Sequence, residues 1–158
     1  MASMKVLEYY SSDNQEHWLG EIKKSDWGAG TYLYELLRDN KLKELCGEAT
    51  KVLLLTDGDS LVSFCTYAPQ DDVPNTELTP WVGFVYTCPQ YRGRRCMGHL
   101  FDYADRLAIA EGHRHLYVST WEIGLYEKYG FSYLKHMKDV HGDESRVYRK
   151  EVFPTSAH

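Results

Sequence analysis

Hydrophobic residues follow two rhythms along this chain, and each switch between them marks an element. Lys5-Val6-Leu7-Glu8-Tyr9-Tyr10 suits a first strand, and Ser11, Ser12, Asp13 and Asn14 offer N-caps for a helix over residues 15–24. Gly28-Ala29-Gly30 then breaks the chain. A second helix is expected from Thr31 to Leu45, with Leu33, Leu36, Leu37 and Tyr34 on its inner side and Gly47 as its stop. Lys51–Thr56 and Leu61–Ala68 are apolar runs joined by Asp57-Gly58-Asp59-Ser60, a hairpin signal. Residues 69–80, rich in prolines and acids, read as an exposed loop. Trp81–Thr87 is β-branched and aromatic, a buried strand between Pro80 and Pro89. Met97, Leu100, Phe101, Ala104, Leu107 and Ala108 keep helical spacing, and Gly112 stands where a left-handed cap belongs. His115–Thr120 is another strand, Glu122–Tyr129 a short helix closed by Gly130, and Phe131–Val140 with Arg146–Val152 a final hairpin around residues 141–145. The tail after Phe153 is expected to fray.

The order β-α-α-β-β-β-α-β-α-β-β predicts an α/β (α+β) fold, a mixed sheet with helices on its faces. Only the helical connection from 81–87 to 115–120 demands a parallel pair, so the rest of the sheet is expected to be antiparallel.

At 158 residues the chain is expected to form one domain, 1–158, large enough to bury a core without disulfides or structural metal. The net charge of -5 argues against a general nucleic-acid binder, which needs a basic face to displace counterions. Cysteines 46, 65, 88 and 96 show no paired spacing and read as free thiols; Cys88, Cys96, His99 and His113 match no usual zinc pattern, so no metal is expected. The N-terminus lacks a signal-peptide pattern and no apolar run reaches membrane-span length, which predicts a cytoplasmic protein with no membrane partner.

The chemistry concentrates at Pro89-Gln90-Tyr91-Arg92-Gly93-Arg94-Arg95-Cys96-Met97-Gly98, between a strand and an amphipathic helix. Free N–H groups and the positive end of the helix dipole converge at such a junction and favour an anion, and Arg92, Arg94 and Arg95 add to that preference. Gly93 and Gly98 have the glycine spacing of a nucleotide-binding loop, but the next residues are His99 and Leu100 where Lys and Ser/Thr would be required.

What does fit is the acyl-CoA loop of the GNAT N-acetyltransferase superfamily. The chain resembles its V-x-P-x-Y-R-G-x-G-x-G motif through Pro89, Tyr91, Arg92 and Gly93, with Arg95 and Met97 where the usual motif has Gly or Ala. Ile123-Gly124-Leu125-Tyr126-Glu127-Lys128-Tyr129-Gly130-Phe131 is similar to the superfamily's closing A-I-x-L-Y-E-K-x-G-F, at the right distance from the loop. The resemblance spans about residues 80–131. It implies a GNAT-like, mostly antiparallel sheet of about seven strands with a central parallel pair, and transfer of an acetyl group from acetyl-CoA to a small-molecule or peptide amine. A homodimer is compatible with it.

On that resemblance Arg92, Gly93, Arg94, Arg95, Cys96, Met97 and Gly98 would hold the pyrophosphate, and Val85, Tyr86 and Thr87 the pantetheine arm through their main chain. Tyr126 would protonate the departing thiolate. An amine with a reference pKa near 10 is neutral in only roughly one molecule per thousand at pH 7, so a base helps. Glu77, Asp26, Glu122 and His17 are candidates. The acids Glu16, Glu21, Asp26, Asp71, Asp72 and Glu77, with Trp18, Trp27, Tyr32 and Tyr34, would suit a cationic acceptor such as a polyamine or aminoglycoside. The rival expectation is a non-catalytic acyl-CoA-binding sensory module on the same fold.

Overall fold

The computed structural model describes residues 4–153, so the tail beyond Phe153 lies outside them. Seven strands, β1 (Met4–Glu8), β2 (Lys51–Asp57), β3 (Ser60–Ala68), β4 (Trp81–Thr87), β5 (His115–Thr120), β6 (Ser132–Lys138) and β7 (Glu144–Glu151), form one sheet in the order β1-β2-β3-β4-β5-β7-β6. β4 and β5 are its parallel pair and every other pairing is antiparallel, as the order of elements predicts. Four helices, α1 (Gln15–Lys23), α2 (Gly28–Arg38), α3 (Leu42–Cys46) and α4 (Met97–Ala110), cover both faces.

β2 shows why its sequence is apolar throughout. Leu53 and Leu55 face the α4 side, among Leu100, Phe101, Ala104 and Ala108, while Val52 and Leu54 face α1 to α3, among Ile22, Leu33, Leu36 and Leu37. A strand covered on both faces has no polar side to show.

Three local expectations are corrected. Gly28-Ala29-Gly30 starts α2 instead of breaking the chain: a methyl on Gly30 would stand 2.9 Å from Ser25 Cβ and 3.5 Å from Phe64, so glycine permits the close α1–α2 corner. The helix expected over 31–45 is split in two. Asn40, at φ +56, ends α2 in a left-handed cap, where Lys41 N–H reaches back to Leu36 C=O at 2.8 Å. Glu122–Tyr129 yields only one 3-10 turn, Tyr126–Tyr129, because Gly124 sits at φ +91 and interrupts helical backbone before it starts. Gly130 closes that turn as expected, in the left-handed region at φ +93.

The feature that positions the site lies in β4. Thr66 pairs with Gly83 and Phe64 with Tyr86, so β4 carries one residue more than β3 across this interval. The bulge centres on Phe84, whose φ of +49 is unusual for an aromatic residue. Pairing with β5 stops at Val82 and Val118, and from there the two parallel strands part. The β5-facing edge of β4 from Phe84 to Thr87 is left without a strand partner, and its backbone groups are open to a ligand.

Candidate functional site

A cavity of about 1140 Å³ opens where β4 and β5 separate. Its walls come from the α1–α2 junction, the segment after β3, the β4 bulge, the turn before α4, the segment after β5 and the β6–β7 hairpin.

At one end lies the turn from Arg92 to Met97. Pro89–Tyr91 forms a 3-10 turn, Gly93 takes φ +80 and Arg95 φ +56, and α4 begins at Met97. Among the described residues, the N–H groups of Gly93, Arg94, Arg95, Cys96 and Met97 have no acceptor in the protein, whereas Gly98 N–H is spent on Arg95 C=O at 3.1 Å. Consecutive free N–H groups at the start of a helix 14 residues long make an anion cradle. Arg95 holds a left-handed conformation that glycine adopts without cost, so the backbone keeps its shape although the side chain differs.

Arg92 is tied inward. Its Nε donates to Thr87 C=O at 2.9 Å, its Nη2 to Asp26 Oδ1 at 3.1 Å, and its guanidinium lies 5.5 Å from the Tyr86 ring centroid. Tyr86 donates its hydroxyl to the same Asp26 oxygen and accepts from Asp26 N–H at 3.1 Å. The Tyr86 hydrogen bond first, and the Arg92 charge after it, hold Asp26 below the ordinary carboxylate range. Trp27 stacks on Tyr86 with ring centroids 5.8 Å apart, so the basic turn before α4 and the α1–α2 junction are joined through one aromatic and ionic contact.

At the apex sit Tyr126 and Asp71. Tyr126 is 5% exposed, packed edge-on against Phe131 at 5.8 Å, and burial raises its phenol well above the usual tyrosine value. Asp71 lies over the bare face of Gly83, beside the bulge: a methyl on Gly83 would fall 2.8 Å from Asp71 Cγ. Burial, and the Asp72 charge after it, push the Asp71 carboxyl up to about 8. Asp72 is raised too, chiefly by burial.

The family model described as the acetyltransferase (GNAT) domain matches residues 30–134, more than half of the chain. The chain belongs to the GNAT acetyltransferase family. Solved structures agree in fold. A GNAT-family protein from Desulfovibrio desulfuricans is 19% identical with a TM-score of 0.68, the match covering 96% of this chain and 100% of that one. An aminoglycoside 6'-acetyltransferase of type Ii is 14% identical with a TM-score of 0.68, over 96% of this chain and 98% of that one. An aminoglycoside 6'-N-acetyltransferase complexed with coenzyme A is 12% identical with a TM-score of 0.65, over 98% and 99%. No curated protein sequence matches significantly.

This GNAT cavity gathers Val85, Tyr86, Thr87, Arg92, Gly93, Arg95, Cys96, Met97 and Tyr126 on its walls; Arg94 and Gly98 lie outside them. Arg94 turns its guanidinium over the Tyr91 ring at 5.9 Å. Cys96 is buried, with its thiol directed at Tyr91 C=O at 3.7 Å. Of the base candidates, Asp26 and Glu122 line the cavity, while Glu77 does not and His17 Nε2 is bound 2.7 Å from Asp59 C=O. Glu16, Glu21, Trp18 and Tyr34 are also off the cavity, with Trp18 buried in the core. Sequence reasoning missed Asp71 as a base candidate, and it missed Lys128, Trp121 and the hairpin residues Val140 and His141 as cavity walls. Part of the expected exposed loop is in fact inside the molecule: Val73 is 2% exposed and joins Trp81 and Tyr117 in a small core. Among the described residues no helix is long and apolar enough to cross a membrane, and no three His, Cys, Asp or Glu side chains converge on a common point.

Proposed function

We propose that the protein is an acetyl-CoA-dependent N-acetyltransferase acting on a primary amine by direct attack. The observation that carries this reading is the run of free N–H groups from Gly93 to Met97 sharing one cavity with Tyr126. The N–H cradle, at the positive end of α4, binds the pyrophosphate, with Arg95 and Lys128, which line the same cavity, as cationic partners. The unpaired edge of β4 from Phe84 to Thr87 takes up the pantetheine amides and fixes the thioester at the apex. Acetyl-CoA supplies the activated acetyl group, and the chain supplies position and protons.

Asp71 accepts the proton of the incoming ammonium, directly or through one water, which leaves a neutral nitrogen. A carboxyl raised toward neutral pH is a stronger base than an ordinary one and remains partly ionised at pH 7 to 8. The neutral nitrogen adds to the thioester carbonyl; as the C–S bond breaks, Tyr126 gives the thiolate its proton, and the second proton leaving the nitrogen restores the phenol, directly or through water. Because burial keeps the phenol protonated, the donor is loaded throughout the working pH range.

The test mixes protein, acetyl-CoA and a panel of amines while following free thiol and acetylated product. Tyr126→Phe keeps the ring and removes the donor, so kcat should fall by about 10²–10⁴ with acetyl-CoA affinity unchanged. A fully active Phe variant removes Tyr126 from the chemistry. Tight acetyl-CoA binding with no thiol release for any amine would instead mark a binding module.

A further inference from the structure

The acceptor end of the cavity differs from what the acidic sequence leads one to expect. Glu16, Glu21 and Glu77 are not on it, and the Asp26 charge is already spent on Arg92. The negative groups left to meet an acceptor are Asp71, Asp72 and the exposed Glu122. Burial raises both Asp71 and Asp72, and the Asp72 charge raises Asp71 further, so together they carry less than two charges near neutral pH. Asp72 Oδ1 is buried without a hydrogen-bond donor from the protein.

Beside the polar Ser119, Thr120 and His141, this end carries a group of exposed apolar side chains. Tyr32 is 48% exposed and tilts against Phe84, 6.0 Å between ring centroids, and Phe84 adjoins the Gly83 that Asp71 covers. Leu45 stands beside Cys46, whose thiol is raised by burial and by the charges of Asp71 and Asp72, which places this helix end next to the acids. Val140 donates its N–H to Asp72 C=O at 2.7 Å, so the β6–β7 hairpin borders them on another side. Trp121, 64% exposed on the segment after β5, supplies the remaining aromatic wall, and like the others it lines the cavity. Exposed aromatic and aliphatic side chains grouped around one small centre of negative charge mark a ligand site, since isolated exposed apolar residues would carry no such arrangement.

We infer that the acceptor is a monoamine carried on an aromatic or aliphatic body, its nitrogen held at Asp71 and Asp72 and its body against Tyr32, Leu45 and Trp121. A polyamine or aminoglycoside is disfavoured, because its further charges and hydroxyls would lose their water against Leu45, Val140 and the rings, and cation–π contact with the exposed Tyr32 and Trp121 returns only part of that cost. This rests on the proposed N-acetyl transfer and narrows the notion of a polycationic acceptor drawn from composition to one charge and an apolar body.

The test compares phenethylamine and hexylamine with spermidine and kanamycin in the same thiol-release assay, with acceptor binding measured separately by calorimetry in the presence of CoA. The expected result is a kcat/KM at least about tenfold higher for the two monoamines, with little dependence on added salt, since one short-range charge contact is screened less than several spread ones. Trp121→Ala and Tyr32→Ala should each raise KM for phenethylamine by about three- to tenfold and leave KM for acetyl-CoA unchanged. Preference for spermidine or kanamycin, with a rate that falls with salt, overturns the inference and leaves N-acetyl transfer standing. Calorimetric binding of phenethylamine without acetylation of any amine overturns the catalytic reading while the ligand class stands. Failure of both monoamines to bind or react overturns the inference, as does an unchanged KM in both variants.

Discussion

Gly83→Ala is the sharpest probe of the apex, because it adds one methyl group to the place where Asp71 lies. The new carbon would stand 2.8 Å from Asp71 Cγ, closer than real side-chain carbons approach, and 3.1 Å from Oδ2, and its three nearest atoms all belong to Asp71. Two responses are open to the protein. If the carboxyl stays, the overlap costs about 1–3 kcal/mol, as overpacked sites do. If it rotates away, the fold loses little but the base leaves its position, and kcat/KM should fall by about 10²-fold. Both responses disappear when the carboxyl is removed. In an Asp71→Ala background the same methyl group should be neutral, or stabilising by roughly 0.5–1 kcal/mol from the lost freedom of glycine in a strand. Urea titration of the four proteins gives the coupling energy directly, expected at about 1–2 kcal/mol if the carboxyl holds its place, and thiol-release rates of wild type and Gly83→Ala give the catalytic arm. A Gly83→Ala protein with wild-type stability and wild-type kcat/KM would refute the contact and the assignment of Asp71 together.

The pH profile follows from two raised groups. Asp71 must be ionised to act, so with its carboxyl pushed up to about 8 the kcat/KM should rise through that range; Asp71→Asn should remove this limb and leave only that of the amine, while Tyr126 adds no alkaline fall below its raised value. The stability sign is opposite: a carboxyl raised on folding favours the folded state at low pH, and that contribution drains away as pH climbs from about 4 toward 8, which denaturant titrations of wild type and Asp71→Asn at several pH values would expose. Gly93→Asp puts a like charge and a side chain into the anion cradle at φ +80, and should weaken acetyl-CoA binding by at least about tenfold in calorimetry without unfolding the protein. Arg95→Gly relieves a left-handed residue at φ +56 worth about 1–2 kcal/mol against roughly 0.5–1 kcal/mol of added chain entropy, so the net gain of about 0.5–1 kcal/mol should raise the melting temperature by about 1–4 °C; an unchanged or lower Tm would mean the arginine contributes contacts of its own.

What the sequence makes legible is whatever is decided within one element or its cap. The strand Trp81–Thr87, the basic turn and the start of α4 are readable because a β-branched run, a proline and a helical period follow one another without ambiguity. Leu33, Leu36 and Leu37 are buried as their spacing requires, and Gly112 and Gly130 take the left-handed caps expected of them. The misreadings cluster where the same residue type serves two purposes. Gly30 looks like part of a break but permits a close helix corner, and Asn40 looks like one more polar helix residue but ends α2. Local composition does not separate these cases, because the deciding partner, Ser25 and Phe64 for Gly30, comes from packing.

Asp71 is the deeper case. Its chemistry depends on a side chain that is missing: Gly83, twelve residues downstream, leaves room for the carboxyl only because β4 lies beside the segment after β3. Its raised pKa then depends on burial beneath that strand and on Asp72 next to it. In the sequence, Gln70-Asp71-Asp72 between two prolines carries the signature of a solvated loop, which is the correct reading for most such segments. The same reasoning applies to Arg92. Its place in a basic turn marks it as a phosphate partner, yet its hydrogen bonds go to Thr87 C=O and Asp26, a residue sixty-six positions earlier. The cradle for an anion is therefore carried by backbone N–H groups that Arg95 and Met97 leave available, and this is why two replaced glycines do not erase it.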